Sequence, residues 1–233
     1  MVIQTQPITR PRSAPHTTTI HIPGPVGSIA LLLDQPDNNA LGVAVIAHPQ
    51  PLMGGSPRHI IPHRLAQATR QLGWLVLRPS FRGVGTSDGH YDHGVGESED
   101  MLAVIASIRE KHPKLPLALI GFSFGAYVMS KVAAALVERN VGAQIVILAG
   151  LPVGDVPGGR YYDTGLVPTN TRIIHGENDD HALLAAIMDW AHPQRLPVTV
   201  IPGSDHFFSG ELDTLASLVV NTLRADVSGL PSE

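Results

Sequence analysis

Short apolar runs and longer apolar stripes alternate along this chain. The runs cover residues 28–33, 41–47, 74–78, 115–120, 143–148, 172–174 and 198–201, and several are nearly continuous Val, Ile, Leu and Ala. Runs of this kind, without regular polar alternation, predict strands buried on both faces of a parallel sheet. Between them, apolar residues recur at helical spacing. Met101, Leu102, Ile105 and Ile108 share one face, and Pro113 stops that helix. Ala126, Met129, Val132, Ala133, Leu136 and Val137 form a second stripe, Leu183, Leu184, Ile187 and Trp190 a third, and Leu212, Leu215, Ala216, Val219 and Leu223 a fourth. A weaker pattern runs from about Ile60 to Leu72, with Pro62 in its first turn. Strand and helix in alternation predict an α/β fold, a parallel sheet with helices on both faces.

Composition narrows the function classes. The 233 residues carry a net charge of −4 and contain no cysteine. Without Cys there is no disulfide framework, Cys-ligated zinc site, iron–sulfur cluster or thiol nucleophile. Mild acidity without a basic block argues against nucleic acid as a partner. No run reaches the roughly 18 apolar residues of a membrane helix. The first ten residues lack the basic start and apolar stretch of a secretory signal. The expectation is a cytoplasmic protein with no membrane partner. Residues 1–16, with Pro7, Pro11 and Pro15, and residues 226–233 read as tails flanking one domain over 17–225.

The segment 117–126, Leu-Ala-Leu-Ile-Gly-Phe-Ser-Phe-Gly-Ala, carries the chemistry. An apolar strand enters Gly-x-Ser-x-Gly and a helical pattern follows at once, which is the context of a nucleophile elbow. Gly121 and Gly125 leave room for a turn tight enough to strain Ser123 and expose its hydroxyl at the carboxyl edge of the sheet. A serine hydroxyl needs a base, and the base needs an orienting acid. On this architecture the chain order is Ser, then Asp or Glu, then His. His206 follows the run 198–201, where the base belongs. Asp179, Asp180 and Glu177 follow the run 172–174, and Asp179 is preferred as the acid; Asp205 reads as a turn former.

The remaining histidines, of twelve in all, offer weaker alternatives. His59 and His63 lack the Glu of a His-Glu-x-x-His zinc site and have Pro62 between them. His90, Asp92 and His93 have metal-ligating side chains, but core or solvent roles are commoner. His175 reads as a strand-end residue shaping the acid loop. No metal or organic cofactor is expected. For the oxyanion, the N–H of Phe124 follows the nucleophile, and a second donor belongs to the loop His48-Pro49-Gln50-Pro51-Leu52-Met53-Gly54-Gly55. Pro49 and Pro51 have no N–H, which leaves Gln50 nearest and Leu52 second.

Taken together the motifs resemble the α/β-hydrolase superfamily, and more narrowly small bacterial serine hydrolases related to dienelactone hydrolases and esterases. The resemblance spans about residues 20 to 224 and adds Phe81-Arg82-Gly83-Val84-Gly85-Thr86-Ser87 and Gly96-Glu97 with Asp100 as landmarks. It implies a single domain around a mostly parallel sheet of about eight strands. It also implies Ser123 as nucleophile, Asp179 as acid, His206 as base, and oxyanion donors from Gln50 and Phe124. Two departures stand out. Asp180-His181-Ala182-Leu183 follows the acid where many relatives carry Val-Pro, and the nucleophile is Ser where dienelactone hydrolases proper use Cys.

Residues 149–171 are rich in Gly and Pro and have no helical stripe long enough for a lid. An open site is therefore expected, with Leu52, Phe122, Tyr161 and Phe207 as candidate substrate contacts. Tyr162, Phe124 and Phe208 lie nearby in sequence. The expected reaction is hydrolysis of a small carboxylic ester through an acyl-enzyme, by a monomer or a homodimer. The same residues suit a thioester or amide, and the alternative from another class is a binding protein on a hydrolase fold.

Overall fold

The computed structural model describes residues 16–228. The first fifteen residues of the expected N-terminal tail, and residues 229–233 of the C-terminal one, lie outside it. An antiparallel hairpin, β1 (Thr17–Gly24) and β2 (Gly27–Asp34), opens the sheet, and β2 pairs antiparallel with β4 (Leu75–Pro79). The remaining strands run parallel: β3 (Val43–Ala47), β5 (Leu117–Phe122), β6 (Ile145–Ala149), β9 (Thr171–Gly176) and β10 (Val198–Ile201). The order across the eight-stranded sheet is β1-β2-β4-β3-β5-β6-β9-β10. β1 was not among the expected strands, because its core-facing content reduces to Ile20 and Ile22 within exposed residues.

Every residue of β3 and β5 is buried, which explains their uninterrupted apolar sequences. Strand alternation sorts them into two cores. Val43, Val45, Leu117 and Leu119 pack in a core with α2 (Val95–Lys111) and α3 (Phe124–Glu138). Ala44, Ile46, Ala118, Ile120 and Phe122 pack in another with α1 (Ile60–Gln71) and α5 (Leu212–Ser228). The last helix covers residues 226–228, the first three of the expected C-terminal tail. The short α4 (Leu184–Ala191) buries Ile187 and Ala191. Among the described residues, no helix is long and apolar enough to cross a membrane.

α2 begins well before its apolar stripe. The buried Glu97 carboxylate accepts from the N–H groups of Asp92 and Gly94, both at 2.8 Å. One turn later, buried Asp100 takes a bidentate pair from Arg82 at 2.8 and 2.9 Å. The Arg-Gly-Val-Gly loop is thereby clamped to the helix. Between β6 and β9 there is no lid. The segment instead forms a small hairpin, β7 (Gly154–Val156) and β8 (Arg160–Tyr162).

Candidate active site

A single residue, Ser123, separates β5 from α3, with φ 54° and ψ −124°. Such angles cost a non-glycine residue on the order of 1–3 kcal/mol and persist only when the surroundings enforce them. Here they do. A Cβ on Gly121 would sit 2.4 Å from the Gly125 carbonyl, and one on Gly125 would sit 2.4 Å from the Ala47 carbonyl. The start of α3 is thus packed onto the end of β3. Ser123 N–H donates to the Ala149 carbonyl at 2.9 Å, and Ser123 O accepts from the amides of Ala126 and Tyr127. β5 lies between β3 and β6, so the turn stands mid-sheet at the carboxyl edge, where α/β sites form.

The loops after β9 and β10 reach the same point. His206 Nε2 lies 2.9 Å from Ser123 Oγ, and His206 Nδ1 lies 2.7 Å from Asp179 Oδ2. A carboxylate accepts only, so Nδ1 carries the proton and Nε2 presents a lone pair to the hydroxyl. Asp179 Oδ1 accepts from the amides of His181 at 2.9 Å and Ala182 at 2.7 Å. Burial alone would raise the Asp179 pKa. The hydrogen bond from His206, the positive charge of that ring whenever it is protonated, and the Ala182 amide outweigh it, holding the carboxyl below its usual range.

The other candidate acids are engaged elsewhere. Asp180 is exposed and pairs with His181 Nδ1 at 2.6 Å, Glu177 accepts from the Gly203 amide, and Asp205 accepts from the Ser209 amide. His175 lies fully buried beneath the acid loop, its Nε2–H donating to the Ala182 carbonyl at 2.7 Å. Burial pushes its pKa down. Among the described residues, Asp179, Asp180 and His181 are the one group with metal-ligand spacing, their atoms within 4.8 Å. Asp179 already serves His206 and two amides, and His181 Nδ1 is on Asp180.

His48, which opens the expected oxyanion loop but had no role of its own in the sequence reading, organises the opposite wall. Its ring is fully buried. Nδ1 donates to the Pro49 carbonyl at 2.8 Å, and Nε2 accepts from the Phe81 N–H at 3.1 Å. Burial pushes its pKa down to about 3, so the ring is neutral. The Pro49 carbonyl and the Gln50 N–H belong to one planar peptide, so the bond to Pro49 also aims the Gln50 amide. The Gln50 carbonyl accepts from Met53 and Gly55, closing the loop. Neither Gln50 N–H nor Phe124 N–H donates to an acceptor among the described residues.

These elements border a cleft of about 550 Å3, open solvent included, lined by Ser123, His206, Gln50 and residues of the β7–β8 hairpin. Three of the expected substrate contacts are displaced from it. Leu52 is 72 % exposed on the turn Pro51–Met53, and its neighbour Met53 lines the cleft instead. Phe122 is fully buried, because its position on β5 faces the α1/α5 core, where it packs against Phe208 with ring centroids 6.2 Å apart. Tyr161 is 67 % exposed, because alternation along β8 turns Arg160 and Tyr162 to the cleft and Tyr161 to solvent. Phe207 lines the cleft, as does His181, which stacks on His206 at 4.8 Å.

Comparison with known proteins agrees with this architecture. Residues 45–150 match the family described as alpha/beta hydrolase fold. A serine hydrolase without a lid from Xanthomonas campestris superposes with a TM-score of 0.81 at 31 % identity, covering 95 % of this chain and all of that one. A serine hydrolase homologue from Coxiella burnetii gives 0.77 at 32 %, covering 88 % of this chain and 97 % of the other. An uncharacterised protein of Rickettsia prowazekii is 28 % identical over 200 residues, 81 % of both chains. On its fold, its missing lid and these similarities, the chain belongs to the α/β-hydrolase superfamily, among its small lidless serine hydrolases.

Proposed function

We propose that this hydrolase cleaves carboxylic esters of small acyl groups, with Ser123 as nucleophile, His206 as general base and acid, and Asp179 as its orienting acid. The observation that carries the reading is His206 bridging Ser123 Oγ at 2.9 Å and Asp179 at 2.7 Å beside an open cleft. Ser123 Oγ attacks the ester carbonyl while its proton passes to His206 Nε2. The carbonyl oxygen, now an oxyanion, accepts from the N–H groups of Gln50 and Phe124. Collapse breaks the acyl–oxygen bond, and His206 returns the proton to the departing alcohol. Water, deprotonated by His206, then attacks the acyl-serine; the acyl–Oγ bond breaks, His206 returns the proton to Ser123 Oγ, and the carboxylic acid leaves.

Asp179 stabilises the imidazolium formed in both halves. Two backbone amides on its other oxygen hold it in place, and the bond from His206, helped by the Ala182 amide, favours its ionised form. The cleft is small and lacks a lid, which favours short acyl groups over long chains.

The test is a chain-length series of aryl esters with wild type and Ser123→Ala, alongside labelling by a fluorophosphonate. The expected result is wild-type turnover that is highest for short chains, a labelled Ser123, and no triad-dependent turnover in the variant. Retained turnover in Ser123→Ala overturns the mechanism. Matched thioesters and anilides in the same assay report the bond preference.

A further inference from the structure

The β7–β8 hairpin sorts its charges. In its register Asp155 opposes Tyr161, and Val156 opposes Arg160. Opposed residues share a face, so the acid and Tyr161 lie on one side while Val156 and Arg160 lie on the other. The second side is the cleft, and Tyr162, two residues after Arg160, also lines it. A guanidinium is always charged. This one touches Tyr162 Oη at 3.5 Å and Met53 Sδ at 3.3 Å, and forms no ion pair among the described residues. The two buried arginines are neutralised by carboxylates: Arg78 by Asp34 at 2.8 Å and Arg82 by Asp100 at 2.8 Å.

No Asp or Glu lines the cleft, and Asp179 is held behind His206. Arg160 is therefore the one permanent charge among the residues bordering the cleft with Ser123. Tyr162 Oη receives Gln50 Nε2 and Arg160 Nη1 from 3.5 Å each, and its own hydrogen has no acceptor among the described residues. A planar fork of N–H donors with a phenol beside it matches a carboxylate.

We propose that Arg160, assisted by the Tyr162 hydroxyl, selects esters that carry a second, free carboxylate, such as half-esters of short dicarboxylic acids. The inference rests on the esterase reading above and names its substrate class. The cation attracts the carboxylate into a cleft that otherwise offers apolar wall and imidazole. The cation is part-exposed, so the preference weakens with added salt.

The test compares charged esters with neutral ones of matched size in two arms. Monoethyl glutarate against ethyl valerate places the carboxylate on the acyl side. The acetyl ester of 4-hydroxybutyrate against butyl acetate places it on the alcohol side. In one arm, wild type should show a kcat/KM ratio, charged to neutral, of roughly ten- to hundredfold, as expected of a charge-assisted hydrogen bond. Arg160→Gln should bring that ratio near one, and Arg160→Lys should keep part of it. A ratio near one in both arms, or one that survives Arg160→Gln, overturns the proposal. If neutral esters turn over while the charge preference is absent, this inference fails and the esterase reading stands. If no ester turns over, that reading fails instead. Calorimetric titration with glutarate then still reads the site: tighter binding to wild type than to Arg160→Gln supports it, and equal binding overturns it.

Discussion

Phe81 donates its backbone N–H to His48 Nε2 at 3.1 Å, and that bond decides which nitrogen of the buried ring carries the proton. With Nε2 accepting, Nδ1–H is left to hold the Pro49 carbonyl at 2.8 Å. The loop after β4 therefore reaches through one imidazole to the peptide that presents the Gln50 N–H. His48→Leu removes both ring contacts at similar volume. It should lower kcat by up to about 10²-fold, the lower end of the effect of losing an oxyanion donor, with a small change in KM. Steady-state kinetics, with Ser123 labelling as a check that the proposed nucleophile is intact, measures this.

Neutral His48 also predicts acid sensitivity. Its pKa is about 3 in the native protein against 6.5 for a free histidine. Between those values the unfolded chain binds a proton that the native state refuses, so stability falls as pH falls. The slope from this group is up to about 1.4 kcal/mol per pH unit. Above pH 6.5 both states are neutral there and the effect vanishes. Buried His175 and the lowered Asp179 act with the same sign, so the measurement is a difference. Urea unfolding across this range should show a flatter dependence in His48→Leu than in wild type.

The choice of acid can be tested within one loop. Asp179→Asn should cost roughly 10³–10⁴ in kcat, because the amide no longer holds His206 in the required tautomer. Asp180→Asn disturbs only an exposed contact to His181 and should leave the rate within its order of magnitude. Equal losses in both variants would remove Asp179 from its role.

Gly125→Ala places a Cβ 2.4 Å from the Ala47 carbonyl and 2.6 Å from that of His48. Both neighbours are backbone, so the start of α3 must retreat from the end of β3. A loss of about 1–3 kcal/mol or more is expected, together with most of the activity, since Ser123 and the Gln50 loop are held together by this contact. Thermal unfolding and ester turnover of the variant measure the two effects.

Much of the fold is legible before any tertiary contact is known. The runs 41–47 and 115–120 read as buried strands because both faces of the strands they mark, Val43–Ala47 and Leu117–Phe122, meet a core, which leaves no polar position to interrupt them. The elbow is legible for a similar local reason: Gly121, Ser123 and Gly125 stand between a strand and a helix, and only that spacing permits so tight a turn. β1 and the β7–β8 hairpin escape because an exposed strand or a three-residue strand carries too little periodicity.

The chain by itself therefore determined the layering of sheet and helices and the tight turn that sets Ser123 between a strand and a helix. These depend on neighbours in sequence, where backbone sterics and apolar period act directly. Tertiary structure decided which acid reaches His206, that His48 is neutral and aims the Gln50 peptide, and that Arg160 and Tyr162 face the cleft while Tyr161 does not. Each of these depends on burial and on partners distant in sequence: 27 residues separate His206 from Asp179, and 33 separate Phe81 from His48. Electrostatics and hydrogen-bond satisfaction are properties of that three-dimensional neighbourhood, and no local pattern encodes them.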